Sequence, residues 1–288
     1  MDEKQKSYKA QLTRIKIFRT IICVILCFIS LFPFYLTIIN ATRDSVAITK
    51  GLSLISSSYF MKNFASLVAK ASGVGTPLLK AMRNSLCIAV PATCLQIYFA
   101  SMTAYGIHAY TYKLKNVAWS FIMAIMMIPT QVSIIGFYKM LIAVNLNDSY
   151  IPLIIPVMAA PSTVFFMRQY MRAALPLEIV EAARIDGSGE LKTFNTIVAP
   201  LMKPALATQA IFAFIASWNN LFTPSIILSS SAKYTMPMFV QLLRSEQFRT
   251  DYGLIYVGIL LTILPLLVVY LCLSKYIIAG VALGGVKE

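Results

Sequence analysis

Residues that could do chemistry are scarce in this 288-residue chain, and the best-spaced group of them suits contact better than catalysis. Glu181-Ala182-Ala183-Arg184-Ile185-Asp186-Gly187 is followed at a distance by Ile197-Val198-Ala199-Pro200. Pro176 suits the first position of a helix, Glu178 and Glu181 complement its positive N-terminal end, and Gly187 is a natural stop. Residues 176 to 188 therefore read as a helix of roughly three turns. Ala182 and Ala183 leave one side of it without bulk, so another surface can approach the backbone. Glu181, Arg184 and Asp186 place charge around that contact. The chemistry implied is docking to a second protein.

Catalytic and metal-binding groupings are absent from the sequence pattern. His108 is the one histidine, so no histidine pair can hold zinc, and it falls near a predicted helix end. Cys23, Cys27, Cys87, Cys94 and Cys272 all fall in apolar runs, where they act as small apolar residues rather than a disulfide framework. Near the C-terminus Gly280, Gly284, Gly285 and Lys287 imitate a phosphate loop, but Val286 intervenes where Gly-Lys-Ser/Thr must be contiguous. The chain is thus expected to bind no cofactor and to be no enzyme. Any ATP and Mg used in its work belong to other polypeptides.

The elements that carry the docking segment are written in the distribution of charge. Apolar residues make up 58% of the chain, charged residues 12%, and mean hydropathy is +0.74, far from a soluble domain. Residues 20–42, 84–112, 116–138, 149–167, 204–232 and 252–274 contain no Asp, Glu, Lys or Arg. Each is near the roughly 20 residues that cross a bilayer core. The fold class expected is all-α: a polytopic membrane protein of six spans, 20–42, 84–107, 116–138, 149–167, 204–229 and 252–274, forming one transmembrane domain over 1–288. Pro33, Pro91, Pro129, Pro156, Pro161, Pro224 and Pro265 lie in these runs and predict kinks, which neighbouring helices can tolerate.

Lys4, Lys6, Lys9, Arg14, Lys16 and Arg19 before the first span, and Arg168, Arg172, Arg184, Lys192 and Lys203 in loop 168–203, place both segments in the cytoplasm. Six spans return the C-terminus there. Segment 43–83 carries six basic residues and must lie outside, a length at which the charge rule weakens. The net charge of +14 fits anionic headgroups of a lipid bilayer and calls for no nucleic acid. The first run is longer than a signal-peptide core and lacks a small-x-small cleavage site, so it reads as a retained anchor.

Two outward segments stand apart. In 57–70, Phe60, Phe64, Leu67 and Val68 share a helical face, as an amphipathic helix packed on the membrane or another chain would. Segment 229–251, with its serines and with Arg244, Glu246, Arg249 and Asp251, reads as a polar loop. At membrane depth the costly polar residues are Ser217, Trp218, Asn219 and Asn220, with Gln131, Gln96 and Gln209 elsewhere. Amides beside an indole suit an uncharged, hydroxyl-rich solute, and Asn219 is expected to face a central cavity. The same amides could instead bond helix to helix.

The docking segment resembles the cytoplasmic signature of ABC importer permeases: E-A-A, three residues, G, nine residues, then I-x-L-P, with Ala199 in place of Leu. Ser217 to Pro224 is similar to the S-W-N-x-F-x-x-P segment of carbohydrate permeases, and Gly280 to Lys287 to their G-x-x-x-G-A-V-K-G ending, with Gly285 for Ala and Glu288 for Gly. The resemblance covers essentially the whole chain and is to the maltose-permease-G branch. It implies a prokaryotic inner-membrane subunit paired with a second homologous permease, two nucleotide-binding ATPase subunits that hold ATP and Mg, and an extracytoplasmic sugar-binding protein. Residues 176–188 become the coupling helix, Gly284, Gly285 and Lys287 a tail reaching the ATPases, and 229–251 a contact for the binding protein. A non-carbohydrate importer is the alternative. A secondary transporter fits less well, since the runs carry no ionisable residue for ion coupling.

Overall fold

A computed structural model describes residues 2–73, 75–244 and 251–284. Every regular element among them is helical. Five helices are long and apolar enough to cross a membrane: Gln11–Ala41, Leu78–Ala109, Ile151–Ala174, Lys203–Ile227 and Tyr252–Tyr276. A bent pair, Lys115–Met126 with Gln131–Ala143, makes a sixth if it counts as one crossing. The chain forms two compact units, Met1–Ala69 with Arg244–Leu261 and Lys70–Leu243 with Thr262–Glu288.

In the first unit, the opening helix Asp2–Ala41 buries none of its most apolar stretch within the chain. Its end is tied down by polar contacts. Arg43 sends its guanidinium to Asn40 Oδ1 and to the carbonyls of Ala47 and Gly51, at 2.5 to 3.1 Å. Asn63, buried in helix Phe60–Gly73, donates through Nδ2 to the carbonyls of Ala41 and Arg43, each at 2.9 Å. These carbonyls follow the last helical turn and have no helical donor, so the amide replaces water there. The expected apolar face of this helix is present at Leu67, which is fully buried, but Val68 turns outward. Asp251 accepts from Ser45 Oγ and from the Leu254 amide, capping the start of Tyr252–Gly284.

The second unit is organised around helix Leu78–Ala109, which continues through Pro91 and is packed by Lys203–Trp218 and Pro161–Ala174. Three of the expected spans are interrupted. Run 116–138 becomes Lys115–Met126 and Thr130–Ala143, meeting at 98°, because Pro129 offers no N–H and forces the residue before it out of helical geometry. Run 149–167 is Ile151–Ile154, a tight turn Pro156–Met158 and Pro161–Ala174, with prolines opening both later pieces. It also runs on past Arg168, whose guanidinium stacks 3.9 Å from the Trp119 ring centroid. The fifth run stops at Trp218 and restarts as Phe222–Ile227.

Segment 229–251 is more ordered than its polarity suggests. Met236–Arg244 is an amphipathic helix that buries Met236, Met238, Phe239 and Leu243. Ahead of it, Asp148 sits in the left-handed region at φ 55° and accepts from the amides of Ser229 and Ser230 at 3.0 and 3.1 Å and from Ser230 Oγ at 2.6 Å. Lys233 Nζ reaches the same carboxylate at 2.9 Å. Burial raises the carboxyl's pKa, but the donors from Ser230, Lys233 and Ser229 outweigh it and hold it well below the usual range. Since the folded value is depressed, this stabilisation is complete above the unfolded value near 3.9 and is lost only as pH falls through the depressed one. Asp148→Asn tolerates the same backbone yet removes the charge. At neutral pH it should speed hydrogen exchange at Ser229 and Ser230 by roughly tenfold or more, given about 1.5–3 kcal/mol for a bond to a charged group. Unchanged exchange would mean the carboxylate does not hold the loop. Glu246 and Arg249 lie outside the described residues.

Candidate functional site

The docking segment forms helix Leu177–Ile185, with Pro176 one position ahead of it in extended geometry. Its end is a complete Schellman closure: Ser188 N donates to Ala183 O at 2.9 Å and Gly187 N to Arg184 O at 3.0 Å, with Gly187 at φ 75°. Asp186 is the C-cap and is exposed. The alanine pair does not form one open face. Successive helical residues point about 100° apart, so Ala182 is exposed with Glu181 while Ala183 is buried beside Val180. The apolar residue that stands out is Ile185, 86% exposed, which the sequence reading passed over. An isoleucine at the end of a charged surface helix, off the Val180 face, was the available signal.

Beneath this helix lies an apolar core that includes Val180, Phe194, Val198 and Met202 from the loop and Tyr105, Met167 and Met171 from the spans. Phe194–Val198 is a π-turn, with Ala199 N reaching back five residues to Phe194 O. Pro200 accounts for it. Its ring crowds the carbonyl four residues earlier and supplies no N–H, so the turn widens.

Polar contacts join the loop to the spans. Glu190 accepts from Arg184 Nε at 2.7 Å and from Tyr105 OH at 3.1 Å, and Tyr110 also bonds its carboxylate. Hydrogen bonds from Arg184, then Tyr110, hold the Glu190 carboxyl below its ordinary pKa, and the same partner raises that of Arg184. His108 closes helix Leu78–Ala109 with its Nε2 3.3 Å from Leu175 O.

The second candidate region is a cavity of about 670 Å³ where the three helix interruptions meet. Ile128, Pro156, Ala159, Ala160 and Asn220 from the breaks line it, with Gln96, Ser133, Ser162 and Thr223 as further polar lining. None of its lining residues is ionisable. Gln96 Nε2 donates to Thr163 Oγ1 at 2.8 Å, and Asn220 Oδ1 accepts from Thr223 N at 3.2 Å. Interrupted backbone at membrane depth is tolerated where it is buried in protein or faces a cavity.

The expected cavity residues divide. Asn220 lines the cavity, whereas Asn219 is the exposed C-cap of Lys203–Trp218. Ser217 is half-buried. Trp218 departs from the expectation: it is 1% exposed, stacked on Phe214 at 5.7 Å, and its indole N–H goes to Thr262 O at 3.0 Å. That ring is spent on packing and has no free edge for a solute. Gln131 is exposed in the first turn of Thr130–Ala143, two residues before Ser133. Gly284 ends the described part of the last helix, and Gly285 and Lys287 lie outside the described residues.

Residues 96–282 match the family described as binding-protein-dependent transport system inner membrane component. The chain belongs to that family. This inner membrane component is 32% identical over 281 residues to an arabinooligosaccharides transport system permease of Bacillus subtilis, covering 97% of this chain and 99% of that one. It is 30% identical over 260 residues to a lactose transport system permease of Rhizobium radiobacter, covering 90% and 92%. An sn-glycerol-3-phosphate permease of Yersinia pestis is 30% identical over 269 residues, covering 92% and 95%. A solved bacterial ABC transporter involved in import of the acidic polysaccharide alginate superposes with a TM-score of 0.76 over 92% of this chain and 96% of that one, at 20% identity, a likeness of fold. The chain is therefore a multi-pass permease subunit of a binding-protein-dependent ABC importer, a kind that works with a partner permease, ATPases and a binding protein.

Proposed function

We propose that this subunit helps carry a neutral oligosaccharide into the cytoplasm, with ATP and Mg bound and hydrolysed by two separate nucleotide-binding subunits. The observation that carries the solute class is the cavity lining: amides and hydroxyls among apolar walls, with no cation to meet a phosphate. Uncharged hydrogen-bonding groups beside apolar surface match a sugar's hydroxyls and ring faces. The names of the arabino-oligosaccharide and lactose relatives support the same class. In this reading helix Leu177–Ile185 is the coupling helix, offering Glu181, Ala182, Ile185 and Asp186 to an ATPase, with the tail 284–288 as a second contact.

The test is ATP hydrolysis by the complex purified through a tag on this chain, with its binding protein, in lipid nanodiscs. Arabinotriose or lactose should stimulate it and sn-glycerol 3-phosphate should not; stimulation by the phosphate alone would replace the sugar reading. Asn220→Asp keeps the acceptor for the Thr223 amide while adding an uncompensated charge to the cavity. It should assemble normally yet raise the KM for the stimulating sugar on the order of tenfold, the scale of one lost hydrogen bond to a buried partner. An unchanged KM would remove Asn220 from the solute path.

A further inference from the structure

The turn after the coupling helix is where transmission of force is weakest. Gly187 at φ 75° and Gly189 two residues on leave a short link between Leu177–Ile185 and the rest of the loop. Apolar packing beneath the loop holds it down, but dispersion contacts are non-directional and permit sliding. One group spans the link. Glu190 bonds Arg184 in the last turn of the coupling helix and, through its other oxygen, Tyr105 in the long span helix. Tyr105 is 3% exposed, and its ring lies 5.6 Å from Phe194 and 6.0 Å from Tyr110. The guanidinium of Arg184 also lies 5.0 Å from the Tyr110 ring centroid. The carboxylate is thus fixed by donors on both sides of a flexible joint, in directions that resist bending and sliding.

We propose that Glu190 is a positioning residue that locks the coupling helix to helix Leu78–Ala109 as one body, so that a movement imposed by an ATPase reaches the spans. This rests on the coupling-helix reading above. Tyr105 and Arg184 are the two anchors of the lock, and Tyr110 steadies both charges. Without the carboxylate the glycine joint would absorb part of the stroke.

The experiment uses the assembled complex in nanodiscs, with the five native cysteines replaced by alanine and spin labels at Lys192→Cys and Thr103→Cys, both exposed positions. With Glu190 present, the distance between labels should keep one narrow distribution in nucleotide-free and ATP–vanadate-trapped complexes. With Glu190→Gln it should broaden or shift on trapping, and sugar transported per ATP should fall on the order of tenfold, as expected for losing a charged hydrogen bond. Tyr105→Phe, which removes one anchor and keeps the charge, should show the same change to a smaller degree and serves if Glu190→Gln fails to assemble. A separate arm cross-links Glu181→Cys to the ATPase. Its failure would sink the docking reading while leaving the distance measurement interpretable. A label distance and transport yield that do not differ between the native and variant complexes would overturn the lock, as would a native distance that shifts on trapping.

Discussion

Gly187→Val should strip most of the sugar-stimulated ATPase from the complex, while Gly187→Asn should retain most of it. The backbone at 187 lies in the left-handed region, where an L side chain costs about 1–2 kcal/mol and a β-branched one more, whereas Asn is tolerated. A Cβ there would meet nothing within 4 Å, so the cost is conformational and not a clash inside the chain. To escape it, the chain must give up the bonds from Gly187 and Ser188 to Arg184 and Ala183, which unwinds the last turn bearing Ile185 and Asp186. A loss of docked ATPase of roughly tenfold or more follows from about 2 kcal/mol. Co-purification of ATPase with tagged permease, beside stimulated hydrolysis, measures it. If Asn and Val lose activity equally, the partner is excluding any side chain at 187, and helix closure is not the cause.

Gly253→Ala should lower the thermal midpoint in detergent by roughly 10 °C, on a cost of about 3–5 kcal/mol from overpacking plus two strained hydrogen bonds. A Cβ at 253 would sit 2.6 to 2.8 Å from Nδ2, Oδ1 and Cγ of Asn63. That amide cannot simply rotate away, because it is buried and bonded to the carbonyls of Ala41 and Arg43. Adding Asn63→Ala to Gly253→Ala relieves the clash and exposes the two carbonyls. The double variant should therefore be no less stable than the sum of the singles and distinctly better than additive. Strict additivity would show that the two positions do not meet.

The helices were legible in the sequence because lipid excludes ionised groups, so charge-free runs mark where apolar helices lie. Their ends were less so. Arg168 looked like a boundary, yet its charge is met by the face of Trp119, which no local pattern announces. Which prolines break a helix was also hidden: Pro33, Pro91 and Pro265 sit inside continuous helices, while Pro129 and Pro156 sit at breaks, and neighbouring chain decides between them. The helix Met236–Arg244 could have been found from Met236, Phe239 and Leu243 at helical spacing, had the surrounding charges not suggested a loop. At the docking segment, Gly187 carried a clear signal because its conformation is a local necessity. Glu190 carried none, since its meaning depends on Tyr105, 85 residues earlier. Trp218 was misread for a related reason: an indole beside asparagines looks like a sugar platform until Thr262 O takes its N–H.

The widened turn at Phe194–Val198 also governs which lengths of loop this protein can accept. A π-turn holds one residue more than the α-helical turn it replaces, so everything after it is out of phase with an uninterrupted helix by about 100°. Val198, Met202 and Ala205 face the core only in that shifted phase. Removing one residue between Gly187 and Pro200 would restore ordinary winding and rotate all three toward solvent. Adding one would overshoot. The interval from glycine to proline is thus a rotational setting as well as a distance, and chain length there is constrained even where side-chain identity is free.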